Sequence, residues 1–165
     1  KEGIQQIEKM TQLLKDEKIT KAYTSPTPRA KQTAQIILKE HDVLLHEDER
    51  FKEVNFGVLE GLPCSFVDTL RLESTNWLED LKLDYTSYQG ENIDDVIIRQ
   101  QEVLKEIEKI SNEEDCIVVV GHGCSLYALI KTLLKDEKLV FPENASAYIL
   151  CKKNNEYKLE KYLRP

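Results

Sequence analysis

Three short stretches of this chain carry side chains that could hold and transfer an anionic group. Gly121-His122-Gly123 follows three valines, so an imidazole stands between two glycines where an apolar run gives way to an amphipathic one. Gly123 permits close backbone approach, and a helix starting there points N–H groups outward, so the position suits an anion. Arg29, in SPTPRAKQTA, brings a guanidinium to a second such start. Glu53, in FKEVNFGVLEGL, places a carboxyl group in a stretch that breaks periodicity, with Glu60 further along it. Each residue alone has a plain structural explanation: a solvated arginine, a turn-capping imidazole, two more acids in an acidic chain. Together, a guanidinium, an imidazole and a helix N-terminus make a phosphate cradle. A carboxylic acid beside it can protonate a leaving alkoxide. No carboxylate cluster of the kind that holds Mg²⁺ accompanies them, so the expected chemistry is phosphoryl transfer with no metal and no cofactor.

The elements that must position these residues follow from the hydrophobic pattern. Ile4, Ile7, Met10, Leu13 and Leu14 recur at helical spacing and predict a helix from about Gly3 to Asp16. ITKAYTS, from Ile19, reads as a short strand. Pro26 and Pro28 then open a second helix with Ala30, Ala34, Ile37 and Leu38 facing inward. VLLHE, from Val43, is a further strand, and residues 51–62 form a loop. Residues 63–89 suggest short helices around Phe66, Leu70, Trp77 and Leu81. Asn92 is a candidate N-cap, with Asp94 and Asp95 in the first turn of a helix whose inward stripe is Ile93, Val96, Ile97, Leu104, Ile107 and Ile110. CIVVVG is a strand apolar on both faces, as a buried parallel strand must be, and SLYALIKTLL is the helix after it. ASAYILCKK and EYKLEKYL alternate as two strands of a hairpin turning at Asn154-Asn155. Strands alternating with helices predict an α/β fold with a mostly parallel central sheet covered on both faces. Ligands of such sheets bind beyond the carboxyl ends of the strands, which is where the three chemical stretches fall.

Composition bounds the function. The chain has 165 residues, enough for one domain spanning 1–165, and 41% of them are hydrophobic and 32% charged. Its net charge of −7 disfavours nucleic acid and anionic membrane surfaces as partners. No apolar run approaches the roughly 20 residues of a membrane span. Cys64, Cys116, Cys124 and Cys151 share no CxxC or metal-type spacing, so reduced thiols and a cytoplasmic setting are expected.

SPTPRAKQTA, EVNFGVLEG, QGEN and VVVGHG, in that order, resemble the histidine phosphatase superfamily, also called the phosphoglycerate mutase-like fold. The resemblance runs from the first helix to the last strands. It implies a three-layer α/β/α fold and a phosphate pocket of two arginines and two histidines. One histidine attacks phosphorus and becomes phosphorylated, and a nearby carboxylic acid protonates the leaving oxygen. The resemblance makes Arg29 the second pocket arginine and His122 the second, non-nucleophilic histidine. It makes Gly123 a residue whose backbone approaches the phosphate, and Glu53 the proton donor. Gly90-Glu91-Asn92 matches the Gly-Glu-Ser element that starts a helix near the site.

One part of the pattern has no counterpart. The superfamily's Arg-His-Gly triplet, which supplies the nucleophilic histidine and the first arginine, is absent, and neither His41 nor His46 follows an arginine. Lys1-Glu2-Gly3 resembles the point where the superfamily's first helix begins. The expectation is therefore a longer natural protein, with the first strand and its nucleophilic histidine upstream of this chain. The implied partner is a small phosphorylated substrate. Val54 and Asn55 follow Glu53 where mutases carry basic residues, which favours a phosphatase over a phosphoglycerate mutase. The residues from Pro63 to Gln89, including Arg71, Lys82, Trp77 and Tyr85, are expected to cover the leaving group. If the chain is complete as it stands, a non-catalytic module binding phosphorylated ligands is the better expectation. GHGCS is not the G-x-S-x-G elbow of the α/β-hydrolases, so Cys124 and Ser125 are not taken as nucleophiles.

Overall fold

The computed structural model describes residues 2–63, 82–135 and 139–165. Among these residues three parallel strands form the central sheet: β1 (Ile19–Thr24), β2 (Leu45–Glu47) and β3 (Cys116–Val120), in the order β2-β1-β3. The register brings all three to one edge together, because Thr24 at the end of β1 pairs with both Glu47 and Val120. Strand side chains alternate between faces, and the two faces bury different clusters. Ala22 packs with Leu38, Leu45 and Val118, whereas Tyr23 packs with Phe51, Val103, Ile107, Ile117 and Val119. A register irregularity between Ile19 and Lys21 returns Ile19 to the Ala22 face.

Among the described residues four helices supply the outer layers: α1 (Glu2–Leu14), α2 (Pro28–Ile37), α3 (Ile93–Lys109) and α4 (Gly123–Leu134). The first two cover the Ala22 face, where Met10, Leu14 and Ile37 meet Val120. The third covers the Tyr23 face through Val103 and Ile107, and α4 packs on it through Val96 and Ala128. The result is the expected α/β/α layering. Pro28 opens α2 at its first position, and Asn92 caps α3 by accepting from the Asp95 N–H at 2.8 Å.

Several details differ from the sequence expectation. In α1, Ile4 and Leu13 are exposed, while Thr11 is buried with its hydroxyl donating to the Ile7 carbonyl at 3.0 Å. In α3 the inward stripe is Ile93, Val96, Gln100, Val103 and Ile107. Its 3-4-3-4 spacing passes through a glutamine, which a purely apolar pattern skips, and Ile110 is left exposed at the C-cap. The fully buried amide of Gln100 has no hydrogen-bond partner among the described residues. The residues of β3 are only half-buried, because among the described residues no strand pairs with its outer edge. The hairpin β4 (Ala147–Lys153) and β5 (Glu156–Leu163) forms a separate antiparallel sheet. It packs Ala147, Ile149 and Leu163 against Val120 and α1 without sharing a ladder with β3. Its turn is Asn154-Asn155, both left-handed as a two-residue hairpin demands. The expected helices around Phe66, Leu70, Trp77 and Leu81 lie outside the described residues. Leu83 and Tyr85 are buried with Val54 and Val96.

The loop after β2 makes one unusually close approach. Gly57 has φ +60°, and a Cβ there would lie 1.9 Å from the Tyr88 carbonyl oxygen. Gly90 faces it, and its Cβ would lie 2.4 Å from the Asn55 carbonyl oxygen. Two absent side chains thus let residues 55–57 and 88–90 lie backbone to backbone. Gly57→Ala should lower the unfolding free energy by about 1–3 kcal/mol from backbone strain alone, read as a reduced urea midpoint. An unchanged midpoint would show that the loop relaxes freely.

Candidate active site

The site forms where the chain leaves the aligned ends of β1 and β3. Beyond β1, the Ser25 N–H still donates to the Val120 carbonyl at 2.9 Å, so Ser25 is held in line with the sheet before Pro26 turns the chain. Beyond β3, His122 stands at the N-cap of α4 in an extended conformation, its backbone carbonyl accepting from the Leu126 N–H. These two crossings bring the Arg29 side chain, one residue into α2, onto the His122 ring.

His122 is 8% exposed. Arg29 Nη2 lies 3.1 Å from its Nδ1, Ser25 Oγ 2.9 Å from its Nε2, and Thr27 Oγ1 3.2 Å from the same nitrogen. A guanidinium can only donate, so Nδ1 accepts, and the proton of the neutral ring lies on Nε2, where it donates to the hydroxyl oxygens. Burial, and then the positive charge of Arg29, push the imidazole below its ordinary value of 6.5. The nearby Glu53 carboxylate works in the opposite direction, and Arg99 adds to the depression.

Glu53 reaches the same helix start from the other side. Its Oε1 accepts from the Ser125 N–H at 2.8 Å and from its own neighbour Val54 at 3.0 Å, and its Oε2 from the Cys124 N–H at 3.2 Å. The helix N-terminus therefore does hold an anion, and that anion is Glu53 itself. A side chain at Gly123, between His122 and these two amides, would meet the edge of the Phe141 ring at 3.7 Å and nothing nearer among the described residues. Glu60 does not join the site. Its carboxylate accepts from the Phe56 N–H and closes the short turn at Gly57–Leu59. His46 stacks on Tyr23 at the strand β2, with ring centroids 5.5 Å apart. Among the described residues no three His, Cys, Asp or Glu side chains gather where a metal ion could be held.

The model of the histidine phosphatase superfamily (branch 1) matches residues 1–163. The chain belongs to this superfamily. It is 33% identical over 116 residues to the protein named probable fructose-2,6-bisphosphatase TIGAR A of Danio rerio, an alignment covering 67% of this chain and 44% of that protein. It is 30% identical over 136 residues to the probable phosphoglycerate mutase GpmB of Erwinia tasmaniensis, covering 80% of this chain and 61% of that one. The chain thus spans about half the length of the curated relatives it matches. Its fold is phosphoglycerate mutase-like. The phosphoglycerate mutase of Bacillus anthracis superposes with a TM-score of 0.81 at 22% identity, over 97% of this chain and 79% of that one. No helix among the described residues of this superfamily member is long and apolar enough to cross a membrane.

Of the residues singled out from the sequence, Arg29, His122, Gly123 and Glu53 converge on the first turn of α4. Ser25, Thr27 and Arg99 were not singled out, although SPTP put two hydroxyls one and three residues after a strand, at the sheet edge where ligands bind. Arg99 left no signal, because an arginine in the middle of a helix looks like any solvated one.

The depressed proton affinity of His122 fixes a pH effect. Unfolded chain binds a proton near pH 6.5, and folded chain only at lower pH. The stability this group contributes is complete above 6.5 and is lost as pH falls from there toward the folded value. Between about pH 7.5 and about pH 5.5 the urea midpoint should fall less for His122→Gln than for the unaltered chain. Equal falls would mean that His122 titrates as it does in the unfolded chain.

Proposed function

We propose that this protein is a metal-independent phosphomonoesterase that acts on a small phosphorylated metabolite through a phosphohistidine intermediate. The observation that carries this is the contact of Arg29 with a neutral, buried His122 on the turn of α4 that also binds the Glu53 carboxylate. Arg29 and the Gly123 N–H bind oxygens of the phosphoryl group. A phosphoryl oxygen takes the place of the Ser25 hydroxyl as acceptor from His122 Nε2, so the imidazole stabilises developing charge without carrying one itself. A proton taken up by the Glu53 carboxylate with the substrate passes to the leaving oxygen as the P–O bond breaks and a P–N bond to the nucleophilic histidine forms. Water then attacks phosphorus, its proton passes to the Glu53 carboxylate, and the P–N bond breaks to release phosphate.

The nucleophilic histidine and first arginine are proposed to come from residues outside this chain. Two observations support that. His46 is engaged with Tyr23 away from the α4 turn, and a strand laid parallel along the outer edge of β3 would end beside His122. Phosphatase is favoured over mutase because the positions after Glu53 offer nothing for a second phosphate. Val54 is 1% exposed within the core, and the Asn55 side chain accepts from the Gly57 N–H. The named activities of the relatives, on a fructose bisphosphate and a phosphoglycerate, agree with a small phosphorylated substrate.

In the natural full-length protein, Glu53→Gln should lower kcat for a chromogenic phosphomonoester by about 10²–10⁴-fold, while inorganic phosphate still binds. Rapid quenching should trap less phosphohistidine in the variant. Unchanged turnover would remove Glu53 from the role. Phosphate binding with no turnover in the unaltered protein would replace the enzyme by a phosphate-binding module.

A further inference from the structure

We propose that Arg99 is a positioning residue for Glu53, fixing the carboxylate against α4 by holding the main chain from which it projects. Arg99 lies on α3, yet its guanidinium makes no ordinary surface contact. Its Nη1 donates to the carbonyls of Arg50 and Lys52, and its Nη2 to the carbonyl of Glu53 at 3.0 Å. Its Nε and Nη2 donate to the two carboxylate oxygens of Glu91 at 3.0 and 3.1 Å. One side chain thus satisfies three carbonyls, of Arg50 in the short 3-10 turn Glu49–Phe51 and of Lys52 and Glu53 in the irregular stretch after it. Only the planar five-donor fork of arginine can serve so many acceptors at once.

Glu91 extends the clamp past Glu53. Its Oε2 also accepts from the Asn55 N–H at 2.9 Å, and its own N–H donates to the Asn55 carbonyl at 2.9 Å. Glu53 is therefore gripped on both sides, through its own carbonyl and through Asn55. The Arg99 and Glu91 side chains are 18% and 27% exposed, which shields the pair from solvent more than a surface ion pair. Both ends of the construction rest on one element. α3 carries Arg99, and it also packs Val96 against Ala128 of α4, whose first amides receive the carboxylate. A displacement of the loop by an ångström would take Glu53 off those amides while leaving Arg29 and His122 in contact.

The effect on turnover rests on the phosphatase assignment, but the positioning itself does not, so the test reads each separately. In amide-resolved NMR spectra of the chain, Glu53→Gln marks the shifts at Cys124 and Ser125 that report the carboxylate. Arg99→Met should move the same two amides in the same direction. Arg99→Lys, which keeps the charge without the fork, should move them part of the way and is read alone if the methionine variant fails to fold. In the full-length enzyme the folded variant should lose kcat by about 100-fold, the scale of an ångström misplacement, with the dissociation constant for inorganic phosphate unchanged. Cys124 and Ser125 amides that stay at their original shifts in a folded Arg99 variant overturn the proposal. Amides that move without any loss of kcat uphold the positioning and overturn Glu53 as proton donor.

Discussion

The first turn of α4 begins inside the protein, and its amide N–H groups must find acceptors there. Glu53 supplies them, from a loop that belongs to neither the helix nor the strand before it. That single carboxylate ties the end of β3, the loop after β2 and, through Arg99, the α3 layer into one unit. The remaining geometry follows from it. With the loop pinned, the Gly57 and Gly90 backbones must lie in contact, and Val54 must turn into the core beside Leu83 and Tyr85.

The charges at this edge are arranged to contradict the chain as a whole. A protein of net charge −7 gathers Arg29 and Arg99 around a buried imidazole, with Glu53 the acid facing them. The other strongly placed acids each serve a cation of their own, Glu91 that of Arg99. Asp115, held at about 2 by Lys21, sits at the opposite end of β1, and Asp48 and Glu106 share the guanidinium of Arg50. Arg29 is thus the cation left in contact with the imidazole, where an oxyanion ligand would meet it.

The fold was legible where chemistry and periodicity agree. Pro28, Asn92 and Asn154-Asn155 act through backbone rules that hold in any context, and they stand where the sequence placed them. Arg29 and His122 could be paired in advance because both follow strands of one parallel sheet. The failures have the opposite character. Gln100 is buried although its side chain argues for solvent, and Leu13 and Ile110 are exposed although theirs argue for the core. Those outcomes are decided by neighbours distant in sequence. Arg99 is the clearest case, since three of its five acceptors are main-chain carbonyls, which leave no mark on residue type.

The hydroxyls of Ser25 and Thr27 hold the His122 ring in one orientation before any ligand arrives. An oxyanion of the proposed kind would exchange one oxygen acceptor for another, with little side-chain ordering left to do. The ring stays neutral through that exchange, as burial and Arg29 hold it, and its Nε2 proton points the same way in the empty and the occupied site.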